Sequence, residues 1–272
     1  WAGDNGAVSG CSFINNTATG DITDANGGGD GGAVLWVGPE GFIDRVYFEN
    51  NTAAYSGGAI YLKGSDNGTD VHCNDVFVDH GLFKNNRAGL NGGAVDFQQG
   101  ATNGKLSNSI FVNNTALRNG GALFWYGHNG TVFNTTFSEN EALGLVDSDA
   151  RGVHKYIDEN GNPILGGSGG AISWIGDIGK INDSTFTDNT ARRLGGAVFL
   201  RDNSFTTFAN DKFLNNTAGI NGGAVDFNRG AHDGAIINST FENNVANRSA
   251  GAVFWFGTNG TIKDSTFKNN TA

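Results

Sequence analysis

Residues 92–97 read Gly92-Gly93-Ala94-Val95-Asp96-Phe97, and residues 222–227 repeat them as Gly222-Gly223-Ala224-Val225-Asp226-Phe227. Working outward from this pair, Gly-Gly-Ala followed by Val, Ile or Leu also begins at Gly31, Gly57, Gly120, Gly169 and Gly195, with an Ala-Gly-Ala-Val variant at Ala250. A second motif, Phe-x-x-Asn, starts at Phe13, Phe48, Phe83, Phe111, Phe137, Phe186, Phe213, Phe241 and Phe267, and the two motifs alternate. The steps from Gly31 to Gly57, Gly169 to Gly195, Gly195 to Gly222, Gly222 to Ala250 and Gly92 to Gly120 are 26 to 28 residues long. The longer steps, Gly57 to Gly92 and Gly120 to Gly169, carry insertions. Self-similarity at a fixed period of this length marks a solenoid. A larger period sits above it: Trp125-Tyr-Gly-His-Asn-Gly-Thr-Val returns as Trp255-Phe-Gly-Thr-Asn-Gly-Thr-Ile, so blocks of four unlike units recur in order.

The composition suits such a chain. There are 44 Gly, 2 Pro and no Met, and Asn, Asp and Thr are abundant. Gly supplies positive φ and Asn tolerates it, whereas both are poor helix formers. No segment keeps a 3.6-residue apolar period. A 38% hydrophobic content with 20 Phe provides a core and excludes disorder. The formal charge is −10, and the 17 Lys and Arg are scattered singly. Without a basic cluster, nucleic acid and anionic membrane surfaces are disfavoured partners. No apolar run reaches the roughly 18 residues that span a bilayer. Residues 1–272 are read as one β-helix segment of a longer repeat protein, since Trp1 falls inside a repeat. Insertions lie near 19–30, 65–80 and 143–168.

Each unit holds three short apolar stretches, such as 252–255, 261–263 and 265–267, separated by Gly- and Asn-rich corners. Stretches of this length, with no helix between them, pair with their equivalents one unit on. The expected fold is therefore all-β: a right-handed, single-stranded parallel β-helix of about nine coils, with three short strands per coil. Alternation along a strand sets the faces. It sends inward the residue after Ala (Val34, Ile60, Val95 and their equivalents), the residue two further on (Trp36, Leu62, Phe97, Trp125), and the Phe of Phe-x-x-Asn. The Asn two or three places after Phe are expected to stack as hydrogen-bonded ladders between coils.

The pairing of Gly-Gly-Ala-(Ile/Leu/Val) with Phe-x-x-Asn resembles the polymorphic outer-membrane adhesins of chlamydiae. The fuller unit, Asn259-Gly-Thr-Ile-Lys-Asp-Ser-Thr-Phe-Lys-Asn-Asn-Thr-Ala272, is similar to the repeats of adhesin-like proteins of methanogenic archaea. The resemblance covers nearly the whole chain outside the insertions. It implies a large, anchored cell-surface protein with a β-helix stalk, attached to glycans or proteins of other microbes or host cells. The departures are modest, at Phe137-Ser-Glu-Asn and at Ala250.

One outward row departs from the polar pattern of a solvated strand. Between the two inward rows lie Leu35, Tyr61, Asp96, Phe124, Ser173, Phe199, Asp226 and Phe254, with Tyr126 and Phe256 beside them. An exposed aromatic strip carrying two carboxylates suits sugar rings. Either this strip is a binding surface, or the 143–168 insertion folds back over it. Glycosidase carboxylates stand about 5–9.5 Å apart. Asp96 and Asp226 are four coils apart, roughly 19 Å at ~4.8 Å per coil, so no catalytic residue is assigned and an enzyme is not expected.

No cofactor or metal site is expected either. His72, His80, His128, His154 and His232 lack ligand spacing, and Asp147, Asp149, Asp158 and Glu159 match no calcium-loop pattern. The 143–168 insertion reads as a hairpin turning at Asp158-Glu-Asn-Gly-Asn-Pro. Cys11 and Cys73 lie about two coils apart, roughly 10 Å at ~4.8 Å per coil, beyond disulfide reach, and are read as free thiols. Among many Asn-x-Ser/Thr sequons, Asn67, Asn129 and Asn259 in Asn-Gly-Thr turns are the best glycan acceptors. The reading is a cell-surface, adhesin-like segment that binds through a lateral face or loop. The alternatives are a passive stalk or sheath element and a β-helix carbohydrate-active enzyme.

Overall fold

A computed structural model describes residues 1–20, 28–63, 73–144 and 166–272. Every assigned strand in these residues pairs in parallel with its equivalent one coil away, and the strands form four stacked sheets. Sheet 1 holds nine strands, from Ala7–Ser9 to Thr261–Lys263, and sheet 2 holds nine, from Ser12–Ile14 to Thr266–Lys268. Sheet 3 holds eight two-residue strands, from Thr17–Ala18 to Val245–Ala246, and sheet 4 holds eight, from Val34–Trp36 to Val253–Trp255. The parallel β-helix is as expected, but each coil has four strands where three stretches were expected. The additional Thr-Ala strand is too short, and its one apolar side chain too small, to stand out as an apolar run.

The corners follow from backbone preference. Between sheets 1 and 2, and again between sheets 2 and 3, one residue adopts a left-handed conformation, as at Asn108 (φ 49°) and Asn113 (φ 53°). Asn and Asp dominate there because their short side chains tolerate positive φ. The Gly-Gly pair entering sheet 4 answers two separate demands. Gly92 turns with φ 60°. Gly93 instead lies so close to the next coil that a Cβ would sit 1.9 Å from the carbonyl oxygen of Gly121.

Stacked like residues fill the interior. The nine Phe of Phe-x-x-Asn form one column with ring centroids 4.5–5.1 Å apart and planes within 15°. The seven inner rings, Phe48 to Phe241, are buried, and burying each contributes about 1.5–3 kcal/mol before entropy. The sheet 4 rows predicted to point inward are buried on the inner coils, including Leu62, Phe97, Trp125 and Trp174, and half-buried at Val34, Val253 and Trp255 on the end coils. Beside the Phe column runs an amide ladder made by the Asn three places after each Phe. Nδ2 of Asn86 donates to Oδ1 of Asn114 at 3.0 Å, and Asn114 repeats this to Asn140 at 3.0 Å. The same Nδ2 atoms donate to the Phe carbonyl of the preceding coil. A buried corner thereby leaves few polar groups unsatisfied.

Candidate functional site

The outward row of sheet 4 is not the exposed strip expected. Leu35, at one end of the row, is 43% exposed, and Phe256, beside its other end, is 66% exposed. Tyr61, Tyr126 and Phe254 are half-buried. Asp96, Phe124, Ser173, Phe199 and Asp226 are buried. The left-handed glycine turn causes part of this, because it curls the incoming corner against the row. A Cβ on Gly92 would stand 3.1 Å from Cβ of Asp96, and one on Gly222 would stand 3.0 Å from Cβ of Asp226. Most of residues 143–168, the alternative cover, lie outside the described residues, with the hairpin, Asp147, Asp149, His154, Asp158 and Glu159. Asn67 and His72 lie outside them as well.

The two aspartates occupy matching settings. Oδ1 of Asp96 accepts from Nε2 of Gln98 at 2.9 Å, and Oδ1 of Asp226 accepts from Nδ2 of Asn228 at 3.1 Å. Neither Oδ2 has a hydrogen-bond partner. Asp96 stacks between Tyr61 and Phe124, and Asp226 between Phe199 and Phe254. Burial pushes the Asp226 carboxyl up to about 7. It raises Asp96 well above the carboxylate range, and the charge of Asp30 adds to the rise. Four register steps separate the two, so they form two separate sites.

An exposed aromatic ledge lies instead on sheet 1, and the sequence reading missed it. Phe42 and Phe77 are register partners on adjacent coils, 42% and 39% exposed. Two residues further along the same strands come Asp44 and Asp79, also register partners. Oδ2 of Asp44 is 2.8 Å from Nε of Arg45, and its Oδ1 is 3.6 Å from Nδ1 of His80. Oδ1 of Asp79 accepts from Oγ of Ser107 at 2.7 Å and from Nδ2 of Asn108 at 2.8 Å. Its Oδ2 lies 2.9 Å from Nδ1 of His80. Burial pushes the Asp79 carboxyl up, but the Ser107 and Asn108 hydrogen bonds and the nearby imidazole outweigh it and hold it below its ordinary value. Exposed ring faces can stack on the apolar face of a sugar, and of the two carboxylates beside them Asp79 is partly exposed and can accept from a hydroxyl, whereas Asp44 is buried. The signal was present as an apolar residue two places before an acid in two successive units. It showed only once the units were superposed, because the partners are 35 positions apart.

Asp44, Asp79 and His80 also bring three metal-capable atoms within 4.8 Å of one another. The spacing of His along the chain could not show this set, since its members come from two coils. Cys11 is exposed and Cys73 buried, both free. Cys73 Sγ lies 3.0 Å from the Trp36 carbonyl oxygen, and burial pushes the thiol up to about 12. Asn129 and Asn259 are exposed, and each Nδ2 donates at 2.9 Å to the corner residue one coil back.

The family model described as right handed beta helix region matches residues 32–229. No curated protein matches the chain. Among solved structures, the Streptococcus pneumoniae surface protein and adhesin PfbA is similar at 11% identity and a TM-score of 0.30, with 92% of each chain covered. A likeness of that size says nothing about what this chain binds.

Proposed function

Because this chain belongs to the right-handed β-helix family, we propose that it is an adhesin-like scaffold of a cell-surface protein that binds glycans through a lateral face. The observation that carries this reading is the ledge: Phe42 and Phe77, each about two-fifths exposed on adjacent coils, beside Asp44 and Asp79. Solvated strands normally present polar side chains, and exposed apolar pairs with a polar rim mark contact surfaces. The repeat supports the surface setting, since a rigid prism of stacked coils displays such a ledge at a fixed height. The resemblance of its units to adhesin repeats points the same way. The covered centre of the sheet 4 row stiffens the prism in this account, and Leu35, with the half-buried Tyr61 and Tyr126, is what the row leaves open to contact. A glycan array with wild type and with the Phe42→Ser/Phe77→Ser double variant tests the reading. Binding by wild type and its loss in the folded variant are expected. No binding by wild type would favour the passive stalk.

A β-helix carbohydrate-active enzyme is the second reading, and one observation favours it. Asp44 and Asp79 stand on adjacent coils, about 4.8 Å apart along the stack, close to the carboxylate spacing of glycosidases. A general acid needs a raised pKa. Asp79 is held low and Asp44 is tied to Arg45, so the scaffold is preferred. Release of reducing or unsaturated sugar from polysaccharide, abolished by Asp79→Asn, would reverse that preference.

A further inference from the structure

We propose that Asp44, Asp79 and His80 form a site for one divalent cation of borderline hardness, zinc foremost, on the corner between sheets 1 and 2. Asp44, Asp79 and His80, from two coils, each bring one ligand atom within 4.8 Å of the others, and the imidazole Nδ1 faces Oδ1 of Asp44 and Oδ2 of Asp79. Zinc bonds of about 2.0–2.2 Å place tetrahedral ligands roughly 3.3–3.6 Å apart. The imidazole nitrogen stands 2.9 Å from Asp79 Oδ2 and 3.6 Å from Asp44 Oδ1, so small side-chain movements satisfy a zinc ion. The remaining oxygen of Asp79 is already oriented by Ser107 and Asn108, the outer support that metal carboxylates need.

Two features of the corner set this trio apart from a chance gathering of charges. The first is Asp44, whose side chain is more than nine-tenths buried. Its Oδ2 is held by Arg45, while its Oδ1 aims at the imidazole from beyond hydrogen-bond distance. On a side chain that is buried as a whole, a carboxylate oxygen that makes no hydrogen bond and is directed at two other donors is what an inserted cation would satisfy. The second is the interrupted ladder. On later coils the corner residue is an amide or acid that bonds its neighbour, as Asn134 does to Asn108 and Asn238 to Asn210. At this height the amides give way to His80 and Arg45, with two carboxylates directly opposed in register. Opposed like charges destabilise a sheet. Arg45 offsets one of them, and a dication between the two offsets the remainder.

One imidazole with two carboxylates suits zinc, nickel or manganese. Calcium wants six to eight oxygens and finds too few. The imidazole is more than half exposed, which leaves an entry path and an open coordination position for water or for a group on a bound molecule. This inference stands whether or not the ledge binds glycan.

Calorimetric titration of the whole chain with zinc chloride at neutral pH tests it, with His80→Asn and Asp79→Ser as variants. Both place at the corner a residue that the next coil already holds there, Asn108 and Ser107, so the fold is retained and a thermal scan verifies it. One zinc per chain is expected for wild type, weakened by more than about tenfold in each variant. Calcium should give no saturating heat. No saturable zinc binding by wild type, undiminished binding in both variants, or calcium binding as tight as zinc would overturn the site.

Discussion

Nδ2 of Asn140 donates to Oδ1 of Asn189 at 3.0 Å across 49 residues of sequence, the bond that Asn114 makes to Asn140 across only 26. The long insertion between Asn140 and Asn189 leaves the ladder undisturbed. The coil, not the intervening length of chain, is therefore the structural unit.

Asn140→Ala should break the ladder at its middle. It removes the acceptor of the Asn114 backbone N–H and Nδ2, and the donor to the Phe111 carbonyl. Buried groups left without partners cost about 1–3 kcal/mol each. We expect a loss of about 2–5 kcal/mol in chemical unfolding. Asn134→Ala, which breaks an exposed bond of the outer ladder, should cost under about 1 kcal/mol.

Ala250 occupies the first position of the Gly-Gly turn with φ 58°, where Gly222 has φ 63°. A side chain in that region costs roughly 1–2 kcal/mol, offset in part by the chain entropy of glycine. Ala250→Gly should thus stabilise the last coils by about 0.5–1 kcal/mol, read as slower amide exchange there. Gly93→Ala should do the opposite and prevent the local stack, because its Cβ would meet the backbone of the next coil.

Asp211 sits among Ser184 and Ser239 in a buried hydroxyl ladder, accepting from the Ser184 backbone N–H at 2.8 Å. Burial pushes its carboxyl from 3.8 up to about 8. Between about pH 4 and pH 8 the native state therefore binds a proton that the unfolded chain has released, and stability falls as pH rises through that window. Asp226, pushed up to about 7, adds to the same slope. The melting temperature of wild type should drop from pH 5 to pH 8. Asp211→Ser, which restores the ladder residue, should flatten the drop and gain on the order of 3 kcal/mol at pH 8. Parallel pH profiles of the two proteins would refute this assignment.

Phe124→Ser and Leu35→Ser separate the covered part of the row from its exposed part. Phe124 is buried, so its loss should cost about 3 kcal/mol, whereas Leu35 is 43% exposed and its replacement should change stability by under about 1 kcal/mol. Equal effects in thermal melts would mean that the row is open along its length.

The solenoid and its inward rows were legible because every unit restates them. Phe48, Phe83 and Phe111 share one motif position, and alternation alone buries them. The fourth strand was not legible. Residues 115–116, Thr-Ala, have no periodicity to detect, and their strand is defined only by pairing with neighbours above and below. The covering of Asp96 and Phe124 was not legible either, since alternation assigns a side chain to a face without saying what folds against that face. The ledge and the Asp44, Asp79 and His80 group depend on residues from different units. They become visible when the units are stacked in register rather than read in line.

Spin-label distances along one outward row of sheet 2 test that stacking most directly. With Cys11→Ser to remove the exposed thiol, labels at Tyr47→Cys and Thr185→Cys lie four register steps apart, and at Tyr47→Cys and Thr266→Cys seven. At ~4.8 Å per coil the account predicts narrow distributions near 19 Å and 34 Å, with the insertion before Thr185 adding one coil like any other. Broad distributions, or separations that grow with the number of intervening residues, would contradict it.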